Sequence, residues 1–140
     1  MADRAEDVHD DEVAIARVLV DYCAGIDRRD WERFERCFTA DCNGDYGPIG
    51  SWSGSRALTA WMSDAHAAWG PTLHRLTNLQ IDVEGDHATA RSYVDAVLTS
   101  TDGQTGTQAL GIYNDELRRG PGGWRIASRR FTMVLQRNLA

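Results

Sequence analysis

Four histidines, His9, His66, His74 and His87, are the side chains here that ionise near neutral pH, and such an imidazole can remove a proton and give it back. None of them sits in HxxxH or HExxH spacing, so no metal site is expected. Asp27 closes a helical pattern, where a carboxylate meets the unfavourable end of the helix dipole and needs a compensating partner. Arg28 or Arg29 could supply that partner, or the carboxylate could serve catalysis. Tyr22 lies five residues earlier, about 140° away around the helix, and a buried phenol would need a partner for its hydroxyl. Arg129 and Arg130 are adjacent in a strand pattern, so one of the two turns inward. All fifteen basic residues are arginine, which excludes Schiff-base and lysine general-base mechanisms. There is no GxGxxG, P-loop, GxSxG or EF-hand pattern, so no cofactor is expected. Water elimination or double-bond migration by acid–base chemistry requires none.

The elements that would position these groups are visible as periodicities. Ile15, Val18, Leu19, Tyr22 and Ile26 form one stripe of an amphipathic helix over about 11–26. Asp30 can cap a short second helix with Trp31, Phe34, Cys37 and Phe38 facing inward. Residues 42–53 read as a short strand and loops. A third helix starts at Ser53 or Ser55, carries Leu58, Trp61, Met62, Ala65 and Trp69 on one side, and stops at Gly70-Pro71. From there the period changes to two. Leu79, Ile81 and Val83 alternate, followed by strands at 88–100, about 105–118 and 124–136, joined by Gly-containing turns. Helices followed by hairpin-linked strands predict an α+β fold: a curved antiparallel sheet closed into a cone, with three N-terminal helices enclosing a pocket.

At 140 residues the chain is the size of one domain, and its 42% hydrophobic and 26% charged shares are ordinary globular values. No apolar run is long enough to cross a bilayer, and the N-terminus lacks the apolar core of a secretory signal. Residues 1–12 hold six acids against Arg4, a net of −5 out of −6, so the remaining 128 residues are nearly balanced at −1. That division predicts an acidic flexible tail, 1–12, ahead of a single domain, 13–140. No basic face is offered to nucleic acid. Cys23, Cys37 and Cys42 have no CxxC spacing and suit a reducing, cytoplasmic setting as buried thiols.

Several segments resemble the SnoaL-like family of the nuclear-transport-factor-2-like superfamily. They are Tyr22-Cys-Ala-Gly-Ile-Asp27-Arg-Arg-Asp-Trp31, Thr72-Leu-His74-Arg-Leu-Thr-Asn78, Glu84-Gly-Asp86-His-Ala-Thr-Ala90 and Gly111-Ile-Tyr113-Asn-Asp-Glu-Leu-Arg118, with Gly123-Trp-Arg-Ile126. The resemblance runs from about residue 10 to 136 and is closest to the branch of scytalone dehydratase, bile-acid 7α-dehydratase and hexachlorocyclohexane dehydrochlorinase. It implies a cone-shaped α+β barrel. It also implies a His74–Asp27 pair in which His74 takes a proton while Asp27 holds its tautomer and stabilises the imidazolium. Tyr22 matches a tyrosine that assists a leaving hydroxyl in the dehydratases, where the dehydrochlorinase has a lysine; as a stripe residue it could equally fill the core. Arg129 matches a pocket arginine able to hold an oxyanion, with an Asp27–Arg129 ion pair as the structural alternative. Asn78, in the family's T-N dipeptide, can bond the backbone or a polar substrate group. Asp95 with Arg91 could imitate part of the Asp–Arg–Asp triad of related epoxide hydrolases, although a solvent-facing ion pair is the simpler reading.

Trp31, Tyr46, Trp61, Trp69, Tyr113, Phe131 and Met133 supply apolar surface for a ring-shaped or polyketide-like molecule, or plain core. The expectation is thus a cofactor-independent lyase acting on a small hydrophobic cyclic substrate. An isomerase or cyclase on the same pair is the alternative, as is a non-catalytic ligand-binding domain. Apolar residues on both faces of 105–118 further predict a homotrimer or homodimer.

Overall fold

The computed structural model describes residues 2–140, with side chains from residue 5 onward. The apolar stripe folds as expected into α1 (Ala2–Asp27), with Ile15, Leu19, Tyr22 and Ile26 each at most 1% exposed. The helix starts well before residue 11, so the acidic segment forms its first turns rather than a separate stretch; Met1 lies outside the described residues. Asp11 is held in place: its carboxylate accepts from Arg119 at 2.7 Å and from the Trp124 indole at 3.0 Å. The short helix α2 (Trp31–Arg36) is capped by Asp30, whose side chain accepts from the Arg33 amide. The third helix, α3 (Ser55–His66), begins after Gly54 without a side-chain cap. It ends before Trp69, so the helix stops ahead of the Gly70-Pro71 signal.

Six strands make one curved, unclosed sheet: β1 (Phe38–Asp45), β2 (Ser51–Ser53), β3 (Thr72–Glu84), β4 (His87–Thr99), β5 (Gly106–Gly120) and β6 (Gly123–Leu139). Their order is β2-β1-β6-β5-β4-β3. The expected antiparallel meander holds from β3 to β6, but β1 pairs with β6 in parallel, which makes the sheet mixed. A parallel pair needs a long connection, and α3 lies within the segment that links β1 to the meander. Register shifts at Thr77/Gln80, Leu110/Gly111 and Glu116/Leu117 add local bends to the ordinary twist of strands of 13 to 17 residues. Small residues on the concave face of β4, Ala88, Ala90 and Ala96, are buried with the helix stripes. The core joins those stripes to Phe34, Phe38, Tyr113, Leu117 and Ile126. Cys23, Cys37 and Cys42 are free and buried among them, their thiols pushed up by burial to about 12, about 12 and about 11.

Candidate active site

Asp27 is the last residue of α1, and β3 supplies the compensation its carboxylate needs. It accepts from the His74 ring Nδ1 at 2.7 Å, from the His74 amide at 2.8 Å and from Thr72 Oγ1 at 2.9 Å. Arg29, with a left-handed φ of 56°, folds back over the helix end. Its guanidinium donates to the carbonyls of Ile26 and Gly70 and to Thr72 Oγ1. A cation there offsets the dipole that would repel Asp27. Burial opposes the carboxylate charge, but the bonds from the His74 ring, the His74 amide and Thr72 outweigh it and hold the Asp27 carboxyl below the usual range. An ionised carboxylate only accepts, so His74 Nδ1 carries the hydrogen of this bond, and in the neutral ring Nε2 has the lone pair. His74, with 8% of its side chain exposed, lines a cavity of about 290 Å³ between the helices and the concave sheet face.

Tyr22 and Tyr46 also line this cavity, their hydroxyls 2.8 Å apart. Burial, first of all, raises both phenols, so both remain protonated; Arg129 pulls the other way. Trp61, Trp69, Tyr113, Phe131 and Met133 complete the expected aromatic and apolar wall. Trp31 lies outside it, packed on Phe34 and against the His66 ring. Asn78 is exposed at the β3 bulge with a φ of 54°, which accounts for its place there as a backbone feature.

Arg129 is fully buried but does not reach Asp27. It forms a two-pronged ion pair with Asp115, Nε to Oδ1 at 2.7 Å and Nη2 to Oδ2 at 2.8 Å, set up by their cross-strand register. Its guanidinium carbon lies 4.2 Å from the Tyr22 ring centre and 3.8 Å from that of Tyr113, so it sits behind the tyrosine wall rather than in it. The Asp27–Arg129 pair is therefore replaced by Asp115–Arg129. Asp115 has the same strand parity as Tyr113 and Leu117, a signal present in the sequence but not used. On the outer face, Asp95 accepts from Arg75 and Gln108, not from Arg91. His66 is the other residue missed: it is 6% exposed, lines the same cavity and follows the α3 stripe one turn after Met62. Among the described residues no three His, Cys, Asp or Glu side chains converge as metal ligands would.

A family model described as a SnoaL-like domain matches residues 7–130. The uncharacterized protein Rv2910c of Mycobacterium tuberculosis is 30% identical over 129 residues, 91% of this chain and 88% of its own. A crystal structure from Novosphingobium aromaticivorans, provisionally named a scytalone dehydratase, has a TM-score of 0.86 at 24% identity and covers 100% of this chain and 93% of its own. The hexachlorocyclohexane dehydrochlorinase LinA-type3 of Novosphingobium barchaimii also has a TM-score of 0.86, at 21% identity, covering 97% of this chain and 94% of its own. The two structural likenesses extend over the helices and the sheet.

Proposed function

The chain belongs to the family of SnoaL-like domains, and we propose that within it this protein is a cofactor-independent lyase of small ring-bearing molecules. The observation that carries this reading is the His74 imidazole, bonded to Asp27 through Nδ1 and lining a largely apolar cavity, which leaves Nε2 as the nitrogen for a substrate. In the proposed elimination, Nε2 takes a proton from a carbon beside an electron-withdrawing group. The C–H electron pair becomes the new double bond and the C–O bond breaks. The departing hydroxide leaves as water after taking a proton from the Tyr22–Tyr46 pair, and the proton on His74 returns to that pair through solvent. Asp27 stays charged throughout and stabilises the imidazolium. Arg129 acts through Tyr22: its charge, stacked on the ring, favours proton donation by the phenol.

Tyr46, Trp61, Trp69, Tyr113, Phe131 and Met133 would hold the ring by apolar contact. Trp31 would support the wall from behind, and Asn78 would shape the strand. The same hydroxyl pair could polarise a carbonyl, which favours double-bond migration as the second reading. Product mass separates the two, since elimination loses one water and migration none. The test is turnover of hydroxylated ring ketones by His74→Ala and Asp27→Asn, with the fold checked by circular dichroism. Each folded variant is expected to lose on the order of 10²–10⁴-fold in rate. Full turnover in both would overturn the proposal.

A further inference from the structure

His66 is a second imidazole at this cavity, and the reaction above leaves it idle. It is the last residue of α3, one turn after Met62 and two after Leu58, so the stripe that buries those residues also carries it inward. Its Nδ1 lies 2.9 Å from the Met62 carbonyl oxygen. A carbonyl only accepts, so Nδ1 carries the hydrogen and Nε2 is a bare acceptor. That Nε2 is buried and has no partner among the described residues. Nδ1 is thus tied back to its own helix, while the residue lines the cavity. The His74 ring stands 5.9 Å away, centre to centre, and the Trp31 ring flanks it at 6.3 Å.

Protonation is not the way this nitrogen is satisfied. Burial, and then the nearby His74 and Arg29, hold the His66 pKa below that of an ordinary histidine, so the ring is neutral at neutral pH. A buried acceptor without a donor is destabilising, so a donor from the cavity's occupant would be strongly favoured there. The other imidazole at the cavity already has its proton-taking task. The rest of the cavity wall is mainly apolar and aromatic, which selects the rest of the occupant's chemistry.

We propose that His66 Nε2 accepts a hydrogen bond from a hydroxyl of the bound molecule, so that the cavity selects ring compounds carrying a hydroxyl over isosteres that lack one. This rests on the reading of the cavity as a ring-compound site but not on turnover. Phenol and toluene, which differ by hydroxyl against methyl, are the probes. Titrated calorimetrically into the wild-type protein and His66→Phe, the phenol-over-toluene ratio should fall by about tenfold in the variant, the worth of one buried hydrogen bond. His66→Gln, which keeps an acceptor, should retain part of the preference.

A measurement that needs no variant is the ¹⁵N resonance of His66 Nε2 in the wild-type protein, which should move toward that of a hydrogen-bonded nitrogen with phenol and not with toluene. An unchanged ratio in folded His66→Phe, an unmoved resonance, or no saturable phenol binding would each overturn the inference. A His66-dependent preference would uphold it even if His74→Ala proved fully active, since that result would sink only the proposed reaction.

Discussion

Asp27 stands where a helix least tolerates negative charge, and the structure answers with three donors from β3 and the Arg29 cap. That arrangement links the dyad to stability. The folded Asp27 carboxyl titrates below its unfolded value of about 3.9, so its contribution is complete above that pH and fades as pH falls through the folded value. The His66 pKa is also depressed, so the native ring stays neutral while the unfolded one takes a proton below about 6.5. Both groups therefore cost stability on acidification, His66 first. Thermal melts from pH 8 to pH 3 should show the midpoint falling in two stages, with His66→Phe removing the upper stage; a single stage in the wild-type protein would contradict this. Arg129→Leu would strand the buried Asp115 and should cost roughly 3–5 kcal/mol in denaturant unfolding, far more than replacing both partners together. At this scale the types and spacing of Tyr22, Asp27 and His74 were legible, because a helix and a strand impose fixed periods. The partner of Arg129 was not, because the choice between Asp27 on α1 and Asp115 on β5 turns on the exact register of β5 against β6.

Gly25 shows how closely the elements that carry the dyad are fitted. A Cβ there would come within 2.9 Å of the Phe34 amide nitrogen and 3.0 Å of its Cα, backbone that cannot yield cheaply. Gly25→Ala should therefore prise α1 from α2, at roughly 1–3 kcal/mol and a melting point lower by about 3–10 °C; an unchanged melt would show the contact to be slack. Helices and hairpins were readable from stripes, caps and Gly-containing turns. The parallel pairing of β1 with β6 was not, since the alternation of β1 says which residues face inward but not which strand lies beside it. The early start of α1 was hidden by its acids, which look like a solvated tail until Asp11 meets Arg119 and Trp124.

Across the whole molecule the sheet has two faces, and only the concave one is covered by helices. Leu73, Tyr93 and Leu135 stand 57%, 44% and 48% exposed on the outer face, beside the Arg75–Asp95–Gln108 group. Apolar area of this kind fits a self-association surface, and we propose a homotrimer or homodimer built through it. Light scattering at micromolar concentration should give a multiple of 15.6 kDa, and a mass near 15.6 kDa itself would contradict the proposal.

The central claim is that His74 removes a proton from carbon inside this cavity, and it can be read without knowing the natural substrate. A ring ketone such as 2-tetralone, followed by proton NMR in D₂O, reports exchange of its acidic C–H directly. The wild-type protein should accelerate that exchange well beyond buffer, while folded His74→Ala and Asp27→Asn should lose on the order of 10²-fold or more of the acceleration. Exchange no faster than in buffer, or equally fast in all three proteins, would contradict the account.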